Sequence, residues 1–147
     1  MGKVPYSELH CRSNFSFLQG ASHPEQLVEQ AVALELQSLA LTDRNGLYGI
    51  VRFAQTARAL GLPTVFGAEL QCTVGEAVGD IVVIARNTRG YAHLSSAISA
   101  GQLAGSKDQP VFGIEQLAEF SVGDWWVLTG GRSGVAARAL HSHGPAM

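Results

Sequence analysis

Short apolar runs alternate along this chain with stripes at helical spacing, and this alternation limits the fold more than any other feature. Leu39-Ala40-Leu41 is apolar throughout and ends in Thr42-Asp43. A run so short and so uniformly apolar suits a buried strand of a parallel sheet. Before it, Leu27, Ala31 and Leu34 fall on one helical stripe. Ser22-His23-Pro24-Glu25 reads as the capping box of that helix, with the Ser22 hydroxyl taking an orphan N–H and Glu25 reaching back. Pro24 suits a first turn, where its missing N–H has no intrahelical partner to lose. The helix is expected to end near Glu35 or Leu36. A second helix is expected from Tyr48 to Leu60, with Ile50, Ala54, Ala57 and Leu60 on or near one face and Gly61 as its stop.

The same reading predicts strands over Ser7–Cys11, Thr64–Phe66, Ile81–Ala85 and Trp125–Thr129. It predicts helices over Tyr91–Ala100, Ile114–Phe120 and Ser133–Leu140, a polar loop over Gly101–Gln109, and a flexible tail over His141–Met147. Strands alternating with helices imply an α/β architecture on a parallel sheet, open or barrel-like. A chain of 147 residues with 46% hydrophobic residues has the size and apolar content of one ordinary domain. A net charge of −2 argues against a module that grips nucleic acid by itself, because phosphate neutralisation needs a basic face. Cys11 and Cys72 form no CxxC pair and suit buried reduced thiols. No apolar run approaches the ~18 residues of a membrane span. The start, MGKVPYSELH, lacks the apolar core of a signal peptide. The expectation is a soluble, cytoplasmic protein with no membrane partner.

The polar residues of interest follow predicted strands: Arg12 the first, Asp43 and Arg44 the second, Glu69 the third. In parallel α/β folds, sites are built at such strand ends. His10, Asp43 and Glu69 are therefore three candidate metal ligands. Each also has a plain structural reading: His10 as a satisfied strand histidine, Asp43 as a turn or helix cap, Glu69 as a paired carboxylate. Asp80 reads most simply as a turn residue. Gly130-Gly131-Arg132-Ser133 lacks a P-loop lysine and spacing, and His141-Ser142-His143 lies in the expected tail. No GxSxG or HExxH motif is present.

The run from Glu8 to Leu27 and the run Leu39-Ala40-Leu41-Thr42-Asp43-Arg44-Asn45-Gly46-Leu47-Tyr48-Gly49 resemble the polymerase and histidinol phosphatase (PHP) domain. The likeness is to the PHP domain at the N-terminus of bacterial C-family DNA polymerases. Val51-Arg52-Phe53-Ala54, Val65-Phe66-Gly67-Ala68-Glu69-Leu70 and Leu128-Thr129-Gly130-Gly131-Arg132 resemble its error-prone branch. The resemblance implies a distorted (βα)7 barrel with up to three metals at the strand ends. The chain is expected to be too short to complete it, so residues 1–147 are expected to be an incomplete barrel, the front of a much longer polymerase.

Carried over by position, the resemblance implies a degenerate site. His10 keeps the first histidine of a His-x-His motif, but Arg12 replaces the second. Gln19 stands at an acidic position. Thr42-Asp43-Arg44 stands for Thr-Asp-His. Glu69 is kept, and Asp80 stands where a histidine is expected. Arginine has donors, a fixed charge and no lone pair to give. At ~4 Å two unit positive charges repel by about 4 kcal/mol at an effective dielectric of ~20, and a divalent ion is repelled more. Arg12 and Arg44 are therefore expected to supply the positive charge of the lost metals, pairing with Glu69 and Asp43. No catalytic residue and no cofactor is expected in this chain. Any residual metal would fall to His10, Glu69 and Asp80.

The implied function is that of a PHP piece of an error-prone polymerase in damage-induced translesion synthesis, with Mg²⁺ held in the polymerase domain of the parent. DNA, other translesion proteins and the sliding clamp are the implied partners of that parent. The alternative is a stand-alone PHP phosphoesterase using Mn²⁺ or Zn²⁺.

Overall fold

Burial of the apolar runs sets the first strands. A computed structural model describes residues 4–106 and 109–143, which form two compact units, one through Ala68 and one from Glu69. In the first unit β1 (Ser7–Cys11) pairs in parallel with β2 (Ser38–Leu41), and β2 pairs in parallel with the start of β3 (Thr64–Val74). Leu39, Ala40 and Leu41 are all buried. A strand covered on both faces has no solvent side to mark with polar residues.

Helices α1 (Pro24–Ala33) and α2 (Ile50–Leu60) pack on one another. Val28 and Ala31 are the buried side of α1, and Ile50, Phe53 and Ala57 that of α2. Phe53 meets Phe66 edge-on, with ring centroids 6.2 Å apart. Burying such a ring contributes about 1.5–3 kcal/mol. Helix α2 stops at Gly61 in the left-handed region (φ 71°), as its sequence predicts.

The start of α1 differs from expectation by one residue. His23, not Ser22, is the N-cap, and its N–H donates to Gln26 Oε1 at 2.8 Å. Pro24 fixes the first helical position, which places the reciprocal partner at Gln26. Glu25 is thereby freed to face α2, where Arg52 Nε donates to its Oε1 at 2.6 Å. Helix α2 begins at Ile50, two residues later than predicted.

The second unit departs further from the sequence reading. Strand β3 runs on to Val74 and turns through Gly75-Glu76 into its sheet neighbour β4 (Ala77–Ala85). Strand β6 (Trp125–Leu128) pairs antiparallel with β4, from Val82–Leu128 to Ala85–Trp125. The sheet is therefore mixed, not parallel throughout. Two-residue β5 (Phe112–Gly113) pairs in parallel with β3 at Cys72. Helix α3 (Thr88–Ala104) continues through Gly101, where a loop was expected. A Cβ there would lie 2.1 Å from the Phe112 ring, so glycine is a close-packing choice and not a stop. Helix α4 (Ile114–Ser121) packs on α3, and α5 (Val135–His143) packs on β4. Helix α5 carries through 141–143 of the expected tail, and residues 144–147 lie outside the described residues. No helix among the described residues is long and apolar enough to cross a membrane.

Candidate functional site

Strand pairing puts the ends of β1 and β2 side by side, with Cys11 opposite Leu41. Thr42 closes this junction twice: its N–H donates to the Cys11 carbonyl at 2.8 Å and its Oγ1 does so at 3.1 Å. The next residue, Asp43, is 2% exposed. An ionised carboxylate can be buried only when donors replace water. Three do. The Ser13 N–H and the Ser16 hydroxyl each donate to Asp43 Oδ1 at 2.7 Å, and the Ser13 hydroxyl donates to Oδ2 at 2.7 Å.

Each serine hydroxyl has one proton and spare lone pairs. With the proton spent on Asp43, Ser13 Oγ accepts the Phe15 N–H at 3.2 Å, and Ser16 Oγ accepts the Arg44 N–H at 3.0 Å. The loop after β1 is further closed by Asn14 N–H to the Ser22 carbonyl and by Gln19 and Gly20 N–H to the Ser16 carbonyl, all within 2.9–3.0 Å. Asp43 thus holds the β1–α1 loop in one shape. The motif containing Asp43 is legible in the sequence, but nothing in it singles out Ser13 or Ser16. Their signal is two serines three apart, in a loop facing a strand-end aspartate.

Beside this clamp, Glu8, His10, Cys11, Arg12 and Gln19 line an open depression of about 370 Å³. His10, Arg12 and Gln19, three of the sequence-predicted positions, are thus brought to one surface. Glu8 is an unpredicted member. It accepts the Tyr6 hydroxyl at 2.9 Å on Oε2 and the His10 backbone N–H at 2.8 Å on Oε1. His10 and Gln19 are exposed, and Arg12 is half-buried. Burial, and after it the Glu8 and Asp43 carboxylates, push the Cys11 thiol up to about 11. It is protonated at neutral pH and is neither nucleophile nor metal-ligating thiolate there. Arg44 is half-buried beside Asp43, and Asn45 follows with φ 51°.

The remaining predicted positions belong to the second unit. Glu69 is 1% exposed within β3, not at a strand end, because β3 continues for five further residues to Val74. Asp80 lies inside β4, half-buried, and not in a turn; its backbone bridges to Gly134. The second unit also holds an aspartate that no sequence motif marks. Asp124 accepts from Arg89 Nε at 2.5 Å and Nη2 at 3.1 Å, and from Asn87 Nδ2 at 2.9 Å. The Arg89 guanidinium, then the Asn87 amide, hold its carboxyl down at about 2. Among the described residues, no group of three or more His, Cys, Asp and Glu side chains is placed to hold a metal ion.

A family model described as the PHP domain matches residues 8–146. The chain belongs to the PHP domain family. Curated relatives named error-prone DNA polymerase share 47% identity with it: over 150 residues in Mycolicibacterium paratuberculosis, and over 147 in Cutibacterium acnes. These alignments take in 97% and 93% of this chain but 14% and 13% of the relatives, so the chain spans about a seventh of their length. Among solved structures, a protein from Bifidobacterium adolescentis named provisionally as a metal-dependent phosphoesterase matches with a TM-score of 0.57 and 24% identity, over 69% of this chain and 35% of that one. An amidohydrolase from Chromobacterium violaceum matches with a TM-score of 0.56 and 26% identity, over 67% and 34%. The fold is accordingly the α/β fold of PHP domains, and the sequence is similar to about a seventh of the length of proteins named error-prone DNA polymerase.

Proposed function

We propose that this PHP domain works as a scaffold within an error-prone DNA polymerase of damage-induced translesion synthesis, and performs no hydrolysis of its own. The name of the 47% identical relatives supports the polymerase part of the reading. The scaffold part rests on one observation: Asp43, a candidate ligand within the stretch that stands for the family's Thr-Asp-His motif, spends its oxygens on Ser13 and Ser16. An ionised carboxylate has about four acceptor sites, and three are engaged here. Arg12 and Arg44 add positive charge at two further ligand positions and have no lone pair to offer. Nucleotidyl transfer belongs on this reading to carboxylates holding Mg²⁺ in the polymerase part of the parent. DNA, other translesion proteins and the sliding clamp are partners of that whole protein, in the cytoplasm.

The test is elemental analysis of the purified chain after dialysis against Mn²⁺ or Zn²⁺, with phosphatase activity assayed alongside. The expected result is less than one ion per chain and no turnover. Two or three bound ions, with turnover lost in His10→Ala, would establish the phosphoesterase alternative instead. A companion variant, Arg12→His with Gln19→Asp and Arg44→His, returns imidazole and carboxylate donors. It should bind Mn²⁺ more tightly than the parent chain by at least about tenfold, as each restored donor adds coordination energy.

A further inference from the structure

The glycine loop that lacks a P-loop's lysine and spacing nevertheless borders a basic groove. Gly130 and Gly131 both take left-handed backbone, at φ 75° and 62°, and lead through a short 3₁₀ turn (Gly131–Ser133) into α5. Close backbone approaches seat this segment on β4. A Cβ at Gly79 would stand 2.6 Å from Val135 Cα, and one at Gly130 would stand 2.5 Å from the Asp80 carbonyl oxygen. The Gly134 backbone bridges to Asp80. Packing this tight leaves α5 and β4 little freedom to slide. They border a groove of about 850 Å³, whose ionisable lining residues are Glu76, Arg132, Arg138 and His141.

The basic side chains of this groove are tied to one another's backbone. Arg138 Nε donates to the Ser133 carbonyl at 3.3 Å, which holds its guanidinium to the loop that carries Arg132. His141 follows Arg138 by three residues, so the two are neighbours on one face of α5. His141 Nδ1 donates to the Ala137 carbonyl at 3.3 Å, which leaves Nε2 as the ring nitrogen open to a ligand. Two guanidiniums thus share the groove with one carboxylate, in a chain whose net charge is −2. Like charges gathered in one place repel, and a bound anion offsets that repulsion. The planar fork of a guanidinium matches the oxygens of a phosphate.

We propose that this groove is a binding site for phosphate groups, held by Arg132 and Arg138. Side chains make the contacts, in place of the loop N–H groups that a P-loop would use. Both arginines are exposed, so water and salt weaken each contact, and the site takes free phosphate at millimolar concentration or phosphates linked in a nucleic-acid strand. This inference concerns the chain by itself and stands apart from the polymerase reading.

The test titrates the 147-residue chain with sodium phosphate, and separately with a short oligothymidylate, at constant ionic strength. Backbone amide signals are followed by NMR. Those of the glycine loop and α5 should move and saturate. Arg132→Gln and Arg138→Gln should each weaken binding about threefold, and together about tenfold, the scale of exposed charge contacts. Glu76→Gln removes the opposing carboxylate and should tighten binding about twofold, a gain that no folding defect imitates. Arg58→Gln, on α2, should leave binding unchanged. Saturation by phosphate alone supports a small phosphate-bearing ligand. Saturation by the oligothymidylate at about tenfold lower concentration, reversed by added phosphate, supports a nucleic-acid strand. No saturation with either, equal binding by the double arginine variant, or weaker binding by Glu76→Gln overturns the proposal.

Discussion

Asp43 and Asp124 are both buried aspartates that fasten a loop, yet they are held by opposite means. Asp43 takes two hydroxyls and one backbone N–H, all neutral donors from the loop it organises. Asp124 takes a guanidinium and an amide from the start of α3. There Asn87 also caps the helix by accepting the Gly90 N–H at 2.8 Å, and Trp125 Nε1–H donates to the Gly90 carbonyl at 2.8 Å. The Arg89 side chain is 70% exposed, so water competes for it and salt screens it. The serines around Asp43 are buried and have no such alternative. The contrast separates a carboxylate that is indispensable to its neighbours from one that is helped by its neighbour.

The largest expected effect follows from that contrast. Asp43→Ala strands two buried hydroxyls and a backbone N–H at once. It should cost about 3–5 kcal/mol of unfolding free energy, since each unsatisfied buried group costs about 1–3 kcal/mol. Urea unfolding of the 147-residue chain measures it. Asp43→Asn keeps one carbonyl acceptor and should cost about 1–2 kcal/mol. If Asp43→Ala costs under about 1 kcal/mol, the clamp is not what orders the loop.

The serines come next. Ser16→Ala removes one bond to Asp43 and leaves the Arg44 N–H without this acceptor, for about 1–2 kcal/mol. Ser13→Ala likewise removes one bond to Asp43 and leaves the Phe15 N–H without this acceptor, and should cost about as much. In a double-mutant cycle, Ser16→Ala should add little once Asp43 is already alanine, with a coupling of about 1 kcal/mol. Full additivity would mean that Ser16 acts on the loop by some other contact.

How far each aspartate could be foreseen follows from its physics. Asp43 ends a short, wholly apolar strand, and strand ends of α/β folds are where polar residues gather. Its position was therefore legible, and so was the covering of β2 on both faces. Its partners were not, because serines in a loop are common and only the return of the chain brings them to the carboxylate. Asp124 had no motif at all, since Asn87 and Arg89 reach it from 37 and 35 residues away. The β3–β4 hairpin was missed for a related reason. Gln71-Cys72-Thr73-Val74 and Ala77-Val78-Gly79-Asp80 mix small and polar residues, so neither stretch has the apolar continuity that identified β2. Reading Asp80 as a turn residue and Glu69 as a strand end both descend from that one omission.

The smallest expected effect is electrostatic and belongs to Asp124 alone. Its carboxyl is held at about 2 in the folded chain, against about 4 for an ordinary aspartate in an unfolded one. A carboxyl lowered by folding contributes its full stabilisation above the unfolded value and loses it as pH falls through the folded value. The stability difference between the parent chain and Asp124→Asn should therefore be level above pH ~5 and shrink steadily from pH ~4 to pH ~2. Taking the difference cancels the other carboxylates, which titrate in both proteins. Molar salt should also narrow it, because Arg89 is open to solvent, while the cost of Asp43→Ala should hardly move with salt. A difference that stays constant down to pH 2 would mean that Arg89 and Asn87 bind the neutral acid as well as the carboxylate, and the contrast between the two aspartates would then lose its electrostatic half.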